Sequence, residues 1–273
     1  MDLSLFYLPT WREGYGMSLT RYYEELTESV KLADSLGWTR AMTTEHHFHY
    51  YGGAVPNPAI ILAAWARETK NIRLAPAVSL MQLRDPLKVA EDYALVDHLS
   101  GGRADMGVAK GFVPHEFEAF HIDQSEVPDR IAEGLDICQK FWAGEPFAHD
   151  GKFFNDTEEQ AIDEAKSALQ EHAGAFGKVM RGQQWDRDYE DDISVLLHMC
   201  EDDDWRDVFR RRTLICSPEQ AAERIQRYLD LGFTEISFIT RYAGLTNEQN
   251  MTTIRRISEE VLPMLGLGKN TAE

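Results

Sequence analysis

Five consecutive residues hold most of the chemistry, Glu45-His46-His47-Phe48-His49. Three of the nine histidines fall within four positions. Imidazole is the side chain whose ordinary pKa lies near neutrality, so one of these rings is a candidate proton donor and acceptor. Two other uses are open at this point. His47 and His49 are spaced as two ligands of a zinc or iron ion, but neither HExxH nor a matched carboxylate set accompanies them, and no metal is expected. The rings could instead hydrogen-bond loop backbone. A second group, Gly107-Val108-Ala109-Lys110-Gly111, combines small residues with one positive charge. Small residues let a flat ring or a phosphate approach the backbone, yet the run is neither a P-loop nor a GxGxxG turn. By spacing alone, Lys110 is equally an ordinary surface lysine. Cys138, Cys200 and Cys216 are scattered without a CxxC pair, and Cys216 reads as core. An odd, sparse count suggests the reduced thiols of a cytoplasmic protein, not a disulfide or zinc framework.

The elements that must position these residues alternate. Residues 3–7 are a strand candidate. Helical spacing of Tyr22, Leu26, Val30 and Ala33 predicts a helix over 19–36 that stops at Gly37. Residues 40–44 are the next strand and end at Glu45, so the histidines sit just past its C-terminal end. A helix over 58–69 follows, with Pro58 in its first turn. Residues 72–80 read as a buried parallel strand, 86–99 as a helix opened by Pro86, and 104–109 as a fourth strand. Four βα units in about 110 residues indicate an α/β fold with a parallel sheet, and at such strand ends catalytic groups converge. Residues 127–142 are an amphipathic helix, and Asp156 is placed to cap another that runs to about residue 180. Residues 193–200 are an apolar run of either type. Residues 213–216 read as a short strand, and Ser217-Pro218 with Gln220 opens a helix. Residues 236–240 and 248–265 are a last strand and a last helix.

The whole chain of 273 residues carries 28 Lys+Arg against 46 Asp+Glu, a net charge of −18. That balance disfavours nucleic acid, whose phosphates need a basic footprint. Residues 155–212 alone hold 16 acidic and 8 basic residues, densest at Glu201-Asp202-Asp203-Asp204, and read as a solvated helical face with an acidic loop. No apolar run is long enough to span a membrane. The first residues lack a basic region, which argues against a signal peptide. The organisation expected is a single domain over 1–273: a first half at 1–154, an acidic helical segment at 155–212, and two last βα units at 213–273.

Several segments in order resemble the bacterial luciferase-like flavin monooxygenases. They are Thr44-Glu45-His46-His47-Phe48, residues 72–80, Asp85-Pro86 through Ala90-Glu91-Asp92, Leu99-Ser100-Gly101-Gly102-Arg103, and Gly107 to Gly111 with His115-Glu116-Phe117-Glu118-Ala119-Phe120. Cys216-Ser217-Pro218-Glu219-Gln220 and Val261-Leu262-Pro263 are similar too. The resemblance implies a (β/α)8 TIM-type barrel that binds reduced FMN at its C-terminal strand ends and uses O2 to oxygenate a small organic substrate. It implies an external flavin reductase, with F420 as the alternative cofactor. By position His46 resembles the family's catalytic histidine, and Ala77-Val78 its flavin-contacting strand end, joined by a non-proline cis peptide. Lys110 resembles a residue facing the flavin phosphate, and Glu116 an acidic residue near the ring. One departure is plain: Phe154 runs almost directly into Asp156-Thr157-Glu158-Glu159-Gln160, where the family places its fifth and sixth βα units. The expectation is therefore an incomplete barrel of about six parallel strands with a helical acidic insert. Its open sheet edges would be covered by 156–200 or by a second subunit, which makes a homodimer the expected assembly. A flavin-binding or scaffold protein without turnover is the alternative.

Overall fold

The computed structural model describes residues 2–153, 216–241 and 245–267. Four parallel strands form the sheet: β1 (Asp2–Tyr7), β2 (Arg40–Thr43), β3 (Arg73–Pro76) and β4 (Glu235–Phe238), in the order β3-β2-β1-β4. The helices are α1 (Leu19–Ser35), α2 (Pro58–Glu68), α3 (Pro86–Ser100), α4 (Pro114–Ala119), α5 (Val127–Ala143), α6 (Pro218–Asp230), α7 (Asn247–Arg256) and α8 (Leu262–Met264). A π-turn over Ile257–Val261 joins the last two, so the single helix expected over 248–265 is real but locally widened.

The pleat sorts side chains by chemistry. Register places Leu5 beside Ala41 and Phe238, and Ala41 beside Leu74. This face is buried under the helices, where Leu26, Leu62 and Trp65 meet it and the Tyr7 and Trp65 rings pack edge to face at 6.1 Å. On the opposite face Ser4 aligns with Arg40 and Ser237, and Arg40 with Arg73. There Arg40 and Arg73 share Asp105, while Arg40 and Ser4 meet Glu235. Alternating residues thus give one apolar face and one ion-paired face at the N-terminal end of the sheet.

Caps fix the helix ends. Ser18, Asn57 and Asp85 each accept a backbone N–H of the helix they open, and Ser217 forms a complete capping box with Gln220. At the far end of α1, Asp34 accepts the backbone N–H groups of Lys70, Asn71 and Ile72 at 2.8, 2.9 and 2.7 Å, which ties the entry of β3 to the helix layer.

Two strand expectations change. Regular pairing of β3 ends at Pro76, not at Leu80, and residues 104–109 form two isolated parallel bridges, Leu74 to Ala104 and Ser79 to Val108. Between those bridges one chain advances five residues and the other four, so a continuous ladder cannot form. The expected count of about six strands is therefore four among the described residues. In place of the expected incomplete barrel, these residues form one sheet with β3 and β4 at its edges. The strand at 213–216, the helix after Asp156, the run at 193–200 and the acidic cover at 156–200 fall wholly or mainly outside the described residues. Cys216 is half-buried at the edge of the core, less enclosed than expected.

Candidate functional site

The site forms where β2 ends. Glu45 is buried; its Oε2 accepts the Leu80 backbone N–H at 3.1 Å and its Oε1 lies 3.2 Å from His47 Nε2. Phe48 then takes a left-handed conformation at φ 64°, which reverses the chain. His47 is thereby turned inward to Glu45, and His49 returns to the side of His46, with ring centroids 5.2 Å apart. Both face α4, a six-residue helix begun by Pro114.

Glu116 on α4 organises the cluster. Its Oε1 lies 3.0 Å from His46 Nδ1 and 3.4 Å from His49 Nε2, and it accepts the His47 backbone N–H at 2.7 Å. The carboxylate side chain is only 1% exposed and that of His46 12%. Burial by itself would raise the carboxyl pKa, but hydrogen bonds from His46, His49 and the His47 backbone outweigh it and hold it down at about 2. An ionised acceptor assigns the His46 proton to Nδ1 and leaves Nε2 able to take up or give a proton. His115 packs 5.1 Å from His49; burial, then the charge of His49, keep it below the usual imidazole range.

His46, His49 and Glu116 each offer one potential ligand atom, all within 4.8 Å of one another, so a divalent metal has a candidate site here rather than at His47 and His49. Oε1 accepts the His47 backbone N–H and meets His46 Nδ1, with His49 Nε2 at 3.4 Å, while the buried Oε2 has no hydrogen-bond partner among the described residues.

The segment expected to contact the flavin leaves β3 alongside β2, where the Ala77 backbone N–H donates to the Thr43 carbonyl at 2.8 Å. The Ala77–Val78 peptide is cis, and both residues are half-buried at the exit of β3. Gly107 lies so close that a Cβ there would stand 2.5 Å from the Pro76 carbonyl oxygen, so the two chains meet backbone to backbone. Lys110 is exposed on the same segment, its carbonyl accepting from Gln82 Nε2 at 2.8 Å. Ala77-Val78 and Gly107 are the residues that would lie against a flat ring, and Lys110 the one that would meet a phosphate.

Of the residues marked in the sequence, His46 and Glu116 are in direct contact, Ala77-Val78 and Lys110 line the neighbouring segments, and Glu45 anchors the turn. Three contributions go beyond what residue type and spacing show. His49 joins His46 on Glu116, although its position past a strand end suggests it points elsewhere. Phe112, 75% exposed, sets its ring edge to face with His46 at 6.0 Å. Gly52 is the third: at φ 76°, a Cβ there would lie 2.7 Å from both His46 Cδ2 and Leu8 Cδ1.

Comparison with known proteins gives the context. The chain is 34% identical over 139 residues to the uncharacterized protein y4wF of Sinorhizobium fredii, covering 51% of this chain and 40% of that one. It thus spans well under half the length of this relative. The FMN complex of the oxygenating constituent of 3,6-diketocamphane monooxygenase from Pseudomonas putida is 30% identical, with a TM-score of 0.52 over 59% of this chain and 46% of that one. The crystal structure of monooxygenase RslO1 from Streptomyces bottropensis covers 97% of this chain and 100% of that chain at 23% identity and TM-score 0.75, a likeness of fold. Residues 1–160, which include the histidine cluster, the cis peptide and Glu116, match the family model of luciferase-like monooxygenases, and the chain belongs to that family.

Proposed function

We propose that the protein is the oxygenase of a flavin-dependent monooxygenation, taking reduced FMN from a separate reductase and O2 from solution to oxidise a small organic substrate. The observation that carries this reading is the His46–Glu116 pair at the sheet's C-terminal edge, beside the Ala77-Val78 wall. FMN is favoured over F420 because the diketocamphane monooxygenase relative is an FMN complex.

Bound reduced FMN would supply the electrons that activate O2. The chain's own residues do the rest. Glu116 holds the Nδ1 proton of His46, so Nε2 is the atom that gives or takes a proton during oxygen transfer. His47 is withdrawn to Glu45 and keeps the strand end in place. Ala77, Val78 and Gly107 present a surface without polar side chains, which keeps water from the ring. Lys110 contributes charge for the phosphate. Being exposed, it adds on the order of 1 kcal/mol. A homodimer completes the reading, supported by Ile60 and Leu95, which stand 70% and 58% exposed on the packed helices α2 and α3.

The test mixes purified protein with photoreduced FMN and air. A flavin spectrum that outlives that of free reduced FMN, shortened in His46→Ala, supports the reading. Reoxidation at the free-flavin rate with no bound FMN overturns it. Sedimentation velocity reports the dimer.

A further inference from the structure

Apart from the histidine cluster, a second cavity, of about 480 Å³, opens among the described residues. Its walls include Leu8 and Trp11 after β1, Met17 and Tyr22 at the start of α1, and Ile239 and Arg241 after β4. Leu8 and Thr10 connect it to the cluster: Gly52 wedges between Leu8 and His46, and donates its N–H to Thr10 Oγ1 at 3.1 Å. Leu8, a wall of the cavity, and the His46 ring thus lie on either side of Gly52.

The lining is apolar and aromatic, and its polar atoms are largely spent. Tyr22 Oη accepts the Thr10 backbone N–H at 3.1 Å, Trp11 Nε1 donates to the Met17 carbonyl at 3.1 Å, and Thr10 Oγ1 donates to the Leu8 carbonyl at 3.0 Å. Arg241 is different. Its side chain is 5% exposed, its Nη2 is paired with Glu25, and its guanidinium lies 4.9 Å from the centre of the Tyr22 ring. Its Nη1 is buried and has no hydrogen-bond partner among the described residues. A buried guanidinium donor left unmatched is costly, and a pocket that holds one is built to have it matched by something else.

The charge around it decides what. Glu25 Oε2 takes Arg241, and Oε1 lies 3.3 Å from Arg21, which also meets Glu24 and Glu28. Two arginines thus face three glutamates. A carboxylate entering the cavity would add a negative charge where positive charge is already compensated, and burying it would cost more than the hydrogen bond returns. An uncharged oxygen acceptor carries no such penalty.

We propose that this cavity is the substrate pocket and that Arg241 Nη1 reads a carbonyl oxygen on a compact, otherwise apolar molecule. The assignment deepens the functional reading above and rests on it only for the word substrate; the binding itself needs neither flavin nor turnover. A site built to hydrogen-bond an oxygen rejects the analogue that lacks it, because the buried donor is then left unpaired.

Three probes of one shape separate the possibilities: 2-acetylnaphthalene, 2-ethylnaphthalene and 2-naphthoate, titrated calorimetrically into the flavin-free full chain. The ketone is expected to bind at least about tenfold more tightly than the hydrocarbon, with the carboxylate weaker than the ketone. In Arg241→Lys the single ammonium remains with Glu25 and keeps the ion pair, so the ketone should fall to the level of the hydrocarbon; thermal unfolding verifies that this variant is folded. The wild-type comparison stands without the variant. Equal binding of ketone and hydrocarbon, tightest binding of the carboxylate, or binding of none of the three overturns the assignment. Ketone binding in a chain that fails the FMN test would leave the pocket standing and the oxygenase reading fallen.

Discussion

Glu116 Oε1 lies 3.0 Å from His46 Nδ1 and accepts the backbone N–H of the next residue, His47, at 2.7 Å. One atom on a six-residue helix therefore fixes both the path of the chain leaving β2 and the tautomer of the imidazole. Position and tautomer are coupled: a carboxylate that stays ionised keeps accepting, and as long as it accepts, the proton exchange proposed above falls to His46 Nε2.

The first expectation follows from that division of labour. His46→Ala should lower oxygenation by about 10²–10⁴ with FMN affinity nearly intact, since in the proposed reading the ring moves a proton while Ala77-Val78 holds the flavin. Glu116→Gln keeps an acceptor oxygen and should lose less. Steady-state rates with photoreduced FMN, set beside binding titrations, separate the two effects. Full activity in His46→Ala would remove the imidazole from the reaction.

Glu116 also makes stability depend on acid. Its carboxyl is held at about 2 in the folded chain, below the ordinary 4.5. A depressed folded pKa means that the unfolded chain binds the proton first, so the contribution is fully present above about 4.5 and is lost as pH falls toward 2. Urea midpoints between pH 2.5 and 6 should fall more steeply with acid in the wild type than in Glu116→Gln. Parallel curves would show that the carboxylate is not held down.

Much of this arrangement is legible in the sequence, and the gaps have physical causes. The helix over 86–99 and the one after Ser217 announce themselves because their caps are local: Asp85-Pro86, Gly101, and Ser217 with Gln220. β3 is legible in type but not in length, because an apolar run looks the same whether its ladder is continuous or broken by one extra residue. α4 is too short for periodicity to show, and it carries the carboxylate of the site. The family resemblance places Glu116 near a flavin ring; its contact with His46, His47 and His49 depends on the reversal at Phe48, which no local rule predicts for a phenylalanine. Arg241 carries no motif either, since its meaning lies in a donor left over after Glu25 is paired.

Asp34 offers a test of the scaffold apart from the site. Its carboxylate takes three consecutive backbone N–H groups, and those hydrogen bonds, with the nearby Arg103 charge, overcome burial and hold its pKa below the ordinary range. Asp34→Ala leaves the N–H groups at the entry of β3 without this acceptor. The expected cost is about 3 kcal/mol, the scale for charged hydrogen bonds lost in partly buried surroundings. Chemical denaturation measures it; a change under about 0.5 kcal/mol would mean that water replaces the carboxylate freely.

Gly52 is the place where backbone geometry and chemistry meet. It sits at φ 76°, a region that favours glycine, and a methyl group there would press on the His46 ring and on Leu8 at 2.7 Å each. Both neighbours are side chains, so the fold can absorb the methyl by moving one of them. Leu8 is a wall of the second cavity, and His46 is held by its hydrogen bond to Glu116. Two costs add in Gly52→Ala, the left-handed backbone at about 1 kcal/mol and the displaced ring. The chain should still fold, with a lowered melting temperature, while oxygenation falls by about tenfold or more, because an imidazole moved off Glu116 loses its fixed tautomer. Nitrogen-15 spectra of the histidine rings read the displacement directly. In the wild type His46 should report the tautomer with its proton on Nδ1, toward Glu116, and in Gly52→Ala a mixture of tautomers. An unchanged ring signal together with lost activity would place the damage at Leu8 and the cavity, and would leave the histidine pair intact.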